Sequence, residues 1–218
     1  MTPLRVVFNW DSTLVTIEGS AALAEHKGIS GVQELTNQAM SGEASIQDVF
    51  RQRFELLRPT LKDMEWLAAT YAAHTTPGAR EIVTALSEVG HDVYVVSAAY
   101  RTAVLEPAKQ LGIQSHRICA VDVLFDEQGE AHYDADNVLA SDGGMEVVLA
   151  EIAKAGPTIY IGDSVPDAQA GAAVDLFIGF GGVAPREEVA SLCQVYVREP
   201  SLLAALPSIT AFAKRRKH

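Results

Sequence analysis

The chain has 218 residues, 48% of them hydrophobic and 21% charged, which is the composition of one medium globular domain, or a domain with a modest insertion, and excludes a disordered segment. Its 28 acidic and 17 basic side chains give a formal net charge of −11, so phosphate backbones repel it and nucleic acid is excluded as a general partner. No apolar stretch approaches the roughly 20 residues that cross a bilayer and MTPLRVVF does not resemble a secretory leader, so the chain reads as cytoplasmic with no membrane partner.

In chain order, Leu4–Phe8 is an apolar run that ends at Asn9 and opens the segment Asn9-Trp10-Asp11-Ser12-Thr13. Short continuous runs of this kind suit central strands buried on both faces. ALAEHKGI, GVQELTNQAM, SIQDVFRQRFELL and LKDMEWLAATYAAH follow with helical spacing and no strand between them. They predict a helical insertion over residues 16–74. EIVTALSEVG is the next helix, Val93–Val96 is a strand that ends at Ser97, and RTAVLEPAKQLG returns as a helix. Val121–Asp136, with its DEQGE turn, predicts a small hairpin. MEVVLAEIAKAG is a helix, Thr158–Ile161 a strand running into Gly162 and Asp163, and Leu176–Ile178 one more strand. Gly90, Gly112 and Gly156 fit helix C-caps. The alternation predicts a doubly wound α/β core with a mostly parallel sheet, formed by residues 1–15 and 75–218. Cys119 and Cys193 read as reduced core thiols, with a single bridge between them as the alternative. The basic tail Lys214-Arg215-Arg216-Lys217 reads as a solvated, frayed end.

Open α/β sheets bind ligands outside the carboxyl ends of their strands. The runs deliver Asn9 and Asp11, then Ser97, then Asp163 and Asp167 to that edge. Clustered carboxylates with few cations nearby are explained most simply by bound Mg²⁺, which takes oxygen ligands and keeps several waters. Ser97 and the N–H groups after it, at a helix N-terminus, suit a phosphate. Each aspartate alone could cap a helix; three such sites in order at three strand ends point to phosphoryl transfer.

Phe8-Asn9-Trp10-Asp11-Ser12-Thr13 resembles the DxDST opening motif of the haloacid dehalogenase-like superfamily, Ser97 its second motif, and Gly162-Asp163 through Asp167 its last. DSTLVTIEGSAALA, RQRFELLRP, TTPGAREIV, VVSAAYRTAV and DLFIGFGG followed by Arg186 resemble the phosphoserine phosphatases of that superfamily, from about residue 5 to 205. The resemblance implies a Rossmann-like core closed by a helical cap. It implies a Mg²⁺-dependent hydrolase of small phosphorylated metabolites, O-phospho-L-serine above all, acting through an aspartyl-phosphate. Position 9 would be the nucleophile and Asp11 the general acid and base. Asn9, Asp11, Asp163 and Asp167 would form the Mg²⁺ site, and Ser97 and Ala98 would contact substrate. Glu18 would face the substrate amine and Arg53 its carboxylate, in a bidentate pair.

The sequence departs from that family where the charge matters. Asn9 has the shape of a carboxylate without its charge or nucleophilicity. Met145, in Gly143-Gly144-Met145, stands where the family's GGK motif has a catalytic lysine. Ala98-Ala99 replaces a Gly-Gly pair, Val121-Asp122 replaces Asn-Arg, and Pro166 replaces a polar residue. These changes imply a phosphatase scaffold that is catalytically impaired. The alternative is a non-catalytic protein that binds a phosphometabolite or a partner protein, with dehalogenation a distant third.

Overall fold

Four runs of buried β-branched and aromatic residues set the centre of the molecule. The computed structural model describes residues 3–134 and 136–216. A six-stranded sheet contains β1 (Arg5–Phe8), β2 (Asp92–Tyr100), β3 (Ile118–Val121), β6 (Thr158–Gly162), β7 (Leu176–Phe180) and β8 (Val195–Val197). Its order is β3-β2-β1-β6-β7-β8 and every pairing is parallel. The helices that pack against it include α5 (Ala79–Glu88), α6 (Arg101–Gln110), α7 (Gly144–Ala153), α8 (Val165–Ala170), α9 (Glu187–Leu192) and α10 (Leu206–Arg215). Val6, Val7 and Phe8 are fully buried, as a strand covered on both faces requires. This is a doubly wound α/β architecture.

The chain reverses its winding direction between β1 and β6, which opens a crevice at their carboxyl ends. Phe8 is level with Val95 of β2 and Ile161 of β6. That register carries Asn9, Ser97 and Asp163 to the same edge.

Between β1 and α5 lie only helices: α1 (Gly19–Lys27), α2 (Val32–Ser41), α3 (Ile46–Leu57) and α4 (Leu61–Ala73). Ser45 caps α3, and Thr60 with Asp63 forms a capping box on α4, so local signals fix where both begin. Trp10, Tyr71 and Leu67 are buried between this helical segment and the sheet edge, with the rings of Trp10 and Tyr71 edge to face at 5.5 Å. The hairpin is present as β4 (Val123–Phe125) and β5 (Ala131–Tyr133). Tyr133 packs against Phe50 and Phe54 of α3.

The structure corrects three sequence expectations. Ser97 lies inside β2, which runs on through Tyr100 before α6 begins, so it is not at a helix N-terminus; a register irregularity against β3 falls between Val96 and Tyr100. β3 and β8 are strands too short for their apolar pattern to announce them. The basic tail is not frayed as far as it is described: α10 extends to Arg215, and Arg216 pairs with Asp175 at 2.8 Å. Lys217 lies outside the described residues. Cys119 and Cys193 are both free thiols.

The glycine that opens α7 leaves no room for a side chain. A Cβ on Gly144 would lie 1.6 Å from the backbone oxygen of Val138, and backbone cannot swing aside as a side-chain end can. Gly144→Ala is expected to destabilise the fold by about 2–4 kcal/mol, read as a lower denaturant midpoint. A midpoint unchanged within error would contradict this packing.

Candidate functional site

Asn9 follows β1 and is buried at the sheet edge. Its Oδ1 accepts from the N–H of Trp10 at 2.7 Å, and its Nδ2 donates to both oxygens of Asp167, at 3.2 and 3.0 Å. Asp167 lies in the first turn of α8, where it forms a capping box with Ser164. It also accepts from Tyr160 Oη and from the backbone N–H groups of Asp163 and Ser164. Capping and site geometry thus coincide in one side chain.

Asp163 follows β6 and is buried. It accepts from Thr13 Oγ1 at 3.1 Å and faces Arg186 Nη2 at 3.5 Å. Burial, then the neighbouring charges of Asp167 and Glu18, push its carboxyl well above the ordinary range. Asp11 sits in the tight turn after Asn9, and its Oδ1 is buried without a hydrogen-bond partner. Burial first and Glu18 second push its pKa up to about 8; the Tyr71 hydroxyl, the Gly19 backbone and Arg53 oppose that shift. Glu18 precedes α1 and accepts from Ser12 Oγ at 2.6 Å. Burial raises its pKa too, against the pull of Ser12, Arg53 and Arg186.

Arg53 comes from the buried face of α3 and is only 8% exposed. Its Nη1 donates to Thr36 Oγ1 at 3.3 Å, and its Nε has no partner. It forms no ion pair among the described residues. Asn9, Asp11, Glu18, Arg53, Ser97, Ala98 and Met145 all line one cavity of about 40 Å³. Asp163 and Asp167 stand behind it, Asp167 joined to Asn9 and Ser164 and Asp163 to Thr13 by the bonds above. Val121 is buried in β3 and Asp122 faces Arg101 at 3.7 Å, so neither lines this cavity.

A second cavity of about 380 Å³ shares Ile46, Ala98, Met145 and Pro166 with the first. One carboxylate crosses its rim: Asp142, before α7, accepts from Ser45 Oγ and from the Ile46 N–H, both at 2.7 Å. It ties the start of α3 to the core.

The donor set at this edge suits a hard divalent cation. Among the described residues, no three His, Cys, Asp or Glu side chains converge as a ready-made metal cluster. Yet Asp11, Glu18, Asp163 and Asp167 face only two guanidinium groups, Arg53 and Arg186, a formal excess of two negative charges. Asp11 Oδ1 is an orphaned buried acceptor. The Asp163 carboxylate, the carboxamide oxygen of Asn9, an oxygen of Asp11 and several waters fit Mg²⁺, which binds through few protein ligands.

Sequence reasoning missed Tyr71, Tyr160 and Asp142. A tyrosine in a strand buried on both faces was the available signal for Tyr160, since a buried phenol needs a partner.

Residues 6–172 match the haloacid dehalogenase-like hydrolase family. The chain is 34% identical over 207 residues to a phosphoserine phosphatase of Bos taurus, covering 92% of each chain. It is 34% identical over 199 residues to the phosphoserine phosphatase of Mus musculus, covering 89% of this chain and 88% of that one. Among solved structures, a substrate-bound phosphoserine phosphatase superposes with a TM-score of 0.83 at 23% identity, covering 95% of this chain and 99% of that one. A phosphoserine phosphohydrolase-like protein from Francisella tularensis gives 0.81 at 24% identity, covering 93% and 98%. Among the described residues no helix is long and apolar enough to cross a membrane.

Proposed function

The chain belongs to the haloacid dehalogenase-like hydrolase family and resembles its phosphoserine phosphatases over most of its length; from that premise we propose that its pocket takes a compact phosphorylated amino acid, O-phospho-L-serine first, and turns it over poorly or not at all. Arg53 carries this reading. A buried guanidinium with an unpartnered Nε is costly until an anion arrives, and its planar fork matches a carboxylate. The ligand carboxylate meets Arg53, the ligand amine meets Glu18, and the phosphate lies against Ser97 and the backbone at Ala98. Residues 16–74 act as a cap over a core of residues 1–15 and 75–218.

Asp11, with its pKa near 8, holds a proton at neutral pH that it can give to the ester oxygen of a leaving alcohol. Asn9 occupies the nucleophile position, but its nitrogen is a donor committed to Asp167 and a carboxamide does not attack phosphorus as a carboxylate does. Met145 brings no positive charge to the phosphate. Mg²⁺ belongs to the same reading: Asn9, the backbone carbonyl of Asp11 and Asp163 would hold it, supported by Asp167, and it would supply positive charge to the phosphoryl oxygens.

The commitment of the Asn9 amide to Asp167 also favours a second reading, a binding protein that holds a phosphometabolite, or answers to a partner protein, without chemistry. Titration calorimetry with O-phosphoserine and Mg²⁺ tests both. The expected result is a dissociation constant in the low micromolar range with no phosphate released. Absence of binding heat at millimolar ligand defeats the substrate assignment. Turnover at an ordinary phosphatase rate defeats the impairment.

A further inference from the structure

Asp167 is fully buried, yet every hydrogen-bond partner it has is neutral: the Asn9 carboxamide, the Tyr160 and Ser164 hydroxyls, and two backbone N–H groups. A buried carboxylate normally needs a cation or a full set of donors. Here the donors do that work, and two of them, Asn9 and Tyr160, come from outside its own helix turn.

Tyr160 is central to this arrangement. It is fully buried in β6, and its ring is held by Phe177 at 5.8 Å. Its hydroxyl lies 2.5 Å from Asp167 Oδ1 on one side and 3.7 Å from Met145 Sδ on the other. The hydroxyl donates to the carboxylate and, among the described residues, has only the sulfur on its other side. A lysine side chain extends two bonds beyond the position of a methionine sulfur, about 2.5 Å. Directed from the sulfur toward Tyr160, that reach would bring an ammonium to within about 1.2 Å of the hydroxyl, so the two groups would compete for one place.

We propose that Tyr160 is a positioning residue of this site, whose hydroxyl stands in for a cation from position 145 and, with the Asn9 carboxamide, holds Asp167 at the pocket wall. Position 145 is neutral because Tyr160 has taken its place against the carboxylate. The inference rests on the reading of Asn9 to Asp167 as one ligand site, but its test involves no ligand.

The test is a stability cycle on the full chain with Tyr160→Phe, Met145→Lys and the two combined. Tyr160→Phe removes one donor from a buried carboxylate, and Met145→Lys drives an ammonium against an occupied position. Each alone is expected to lower the melting temperature by about 4–10 °C. Combined, they are expected to melt above either single variant, because the ammonium takes the vacated place beside Asp167. Tyr160→Phe with Met145→Leu, which supplies no charge, should show no such recovery. A purely structural tyrosine gives losses that add, and a combined variant at or below the lower single variant overturns the proposal. If a single variant does not fold, recovery of a folded chain in the combined one carries the same meaning. Calorimetry of the unmodified chain with O-phosphoserine decides the ligand assignment separately, so either can fail alone.

Discussion

Arg53→Ala is expected to weaken O-phosphoserine binding by about 100-fold or more while moving the melting temperature by no more than about 4 °C. The two halves of this result come from the same geometry. Arg53 is 8% exposed, its Nε is unpartnered, and its strongest contact is a 3.3 Å bond to a threonine hydroxyl. Without ligand, truncation removes a poorly paired buried charge, which favours the fold, but leaves Glu18 and Asp11 with less positive charge nearby, which opposes it. With ligand, truncation strands a desolvated carboxylate. Arg53→Lys keeps the charge and loses the fork, so it should fall between, at about a tenfold loss. Calorimetry and thermal melting of the same samples check both halves. Unchanged affinity in Arg53→Ala would show that the guanidinium serves some other purpose.

The second large effect is a gain. Asn9→Asp together with Met145→Lys is expected to raise phosphate release from O-phosphoserine by about 10³-fold or more, on the scale set by supplying a missing nucleophile and its charge partner. Neither change should suffice alone. Nδ2 of Asn9 stands 3.0 Å from Asp167 Oδ2, and an aspartate there turns a donor–acceptor contact into two facing carboxylates, one of which will hold a proton. Such an aspartate is a poor nucleophile until a cation arrives from position 145. Adding Tyr160→Phe, which clears that cation's place, should increase the rate further. Assays with Mg²⁺ and a panel of phosphomonoesters read the result, and the preferred ester identifies the ligand. No release from the double or triple variant would mean that Ala98 and Ala99 have reshaped the phosphate end beyond repair at two or three positions.

Much of the fold was legible in the sequence because its central strands are unbroken apolar runs and three of the helices beside them, α5, α6 and α7, are closely followed by Gly90, Gly112 and Gly156. The order Asn9, Ser97, Asp163 along the chain was enough to assemble the sheet edge, since parallel strands deliver their ends to one side. The short strands β3 and β8 were not legible: three or four residues carry too little pattern. The placement of Ser97 failed for a related reason, because nothing in VVSAAY distinguishes a strand that continues from one that yields to a helix. Tyr71 and Tyr160 escaped because their contribution depends on partners 60 and seven residues away in the chain, Asp11 and Asp167. A pattern of residue types along one chain does not contain that information.

The cavity between Arg53 and Asn9 has a consequence for kinetics. At about 40 Å³ it is narrow, and it adjoins the cavity of about 380 Å³ with which it shares Ile46, Ala98, Met145 and Pro166. A ligand of the proposed size needs both spaces, and its apparent affinity scales with the fraction of molecules in which the passage between them stands open. Loosening the two bonds from Asp142 to Ser45 and Ile46 raises that fraction without touching the ligand, so a residue on the rim sets how tightly the interior binds.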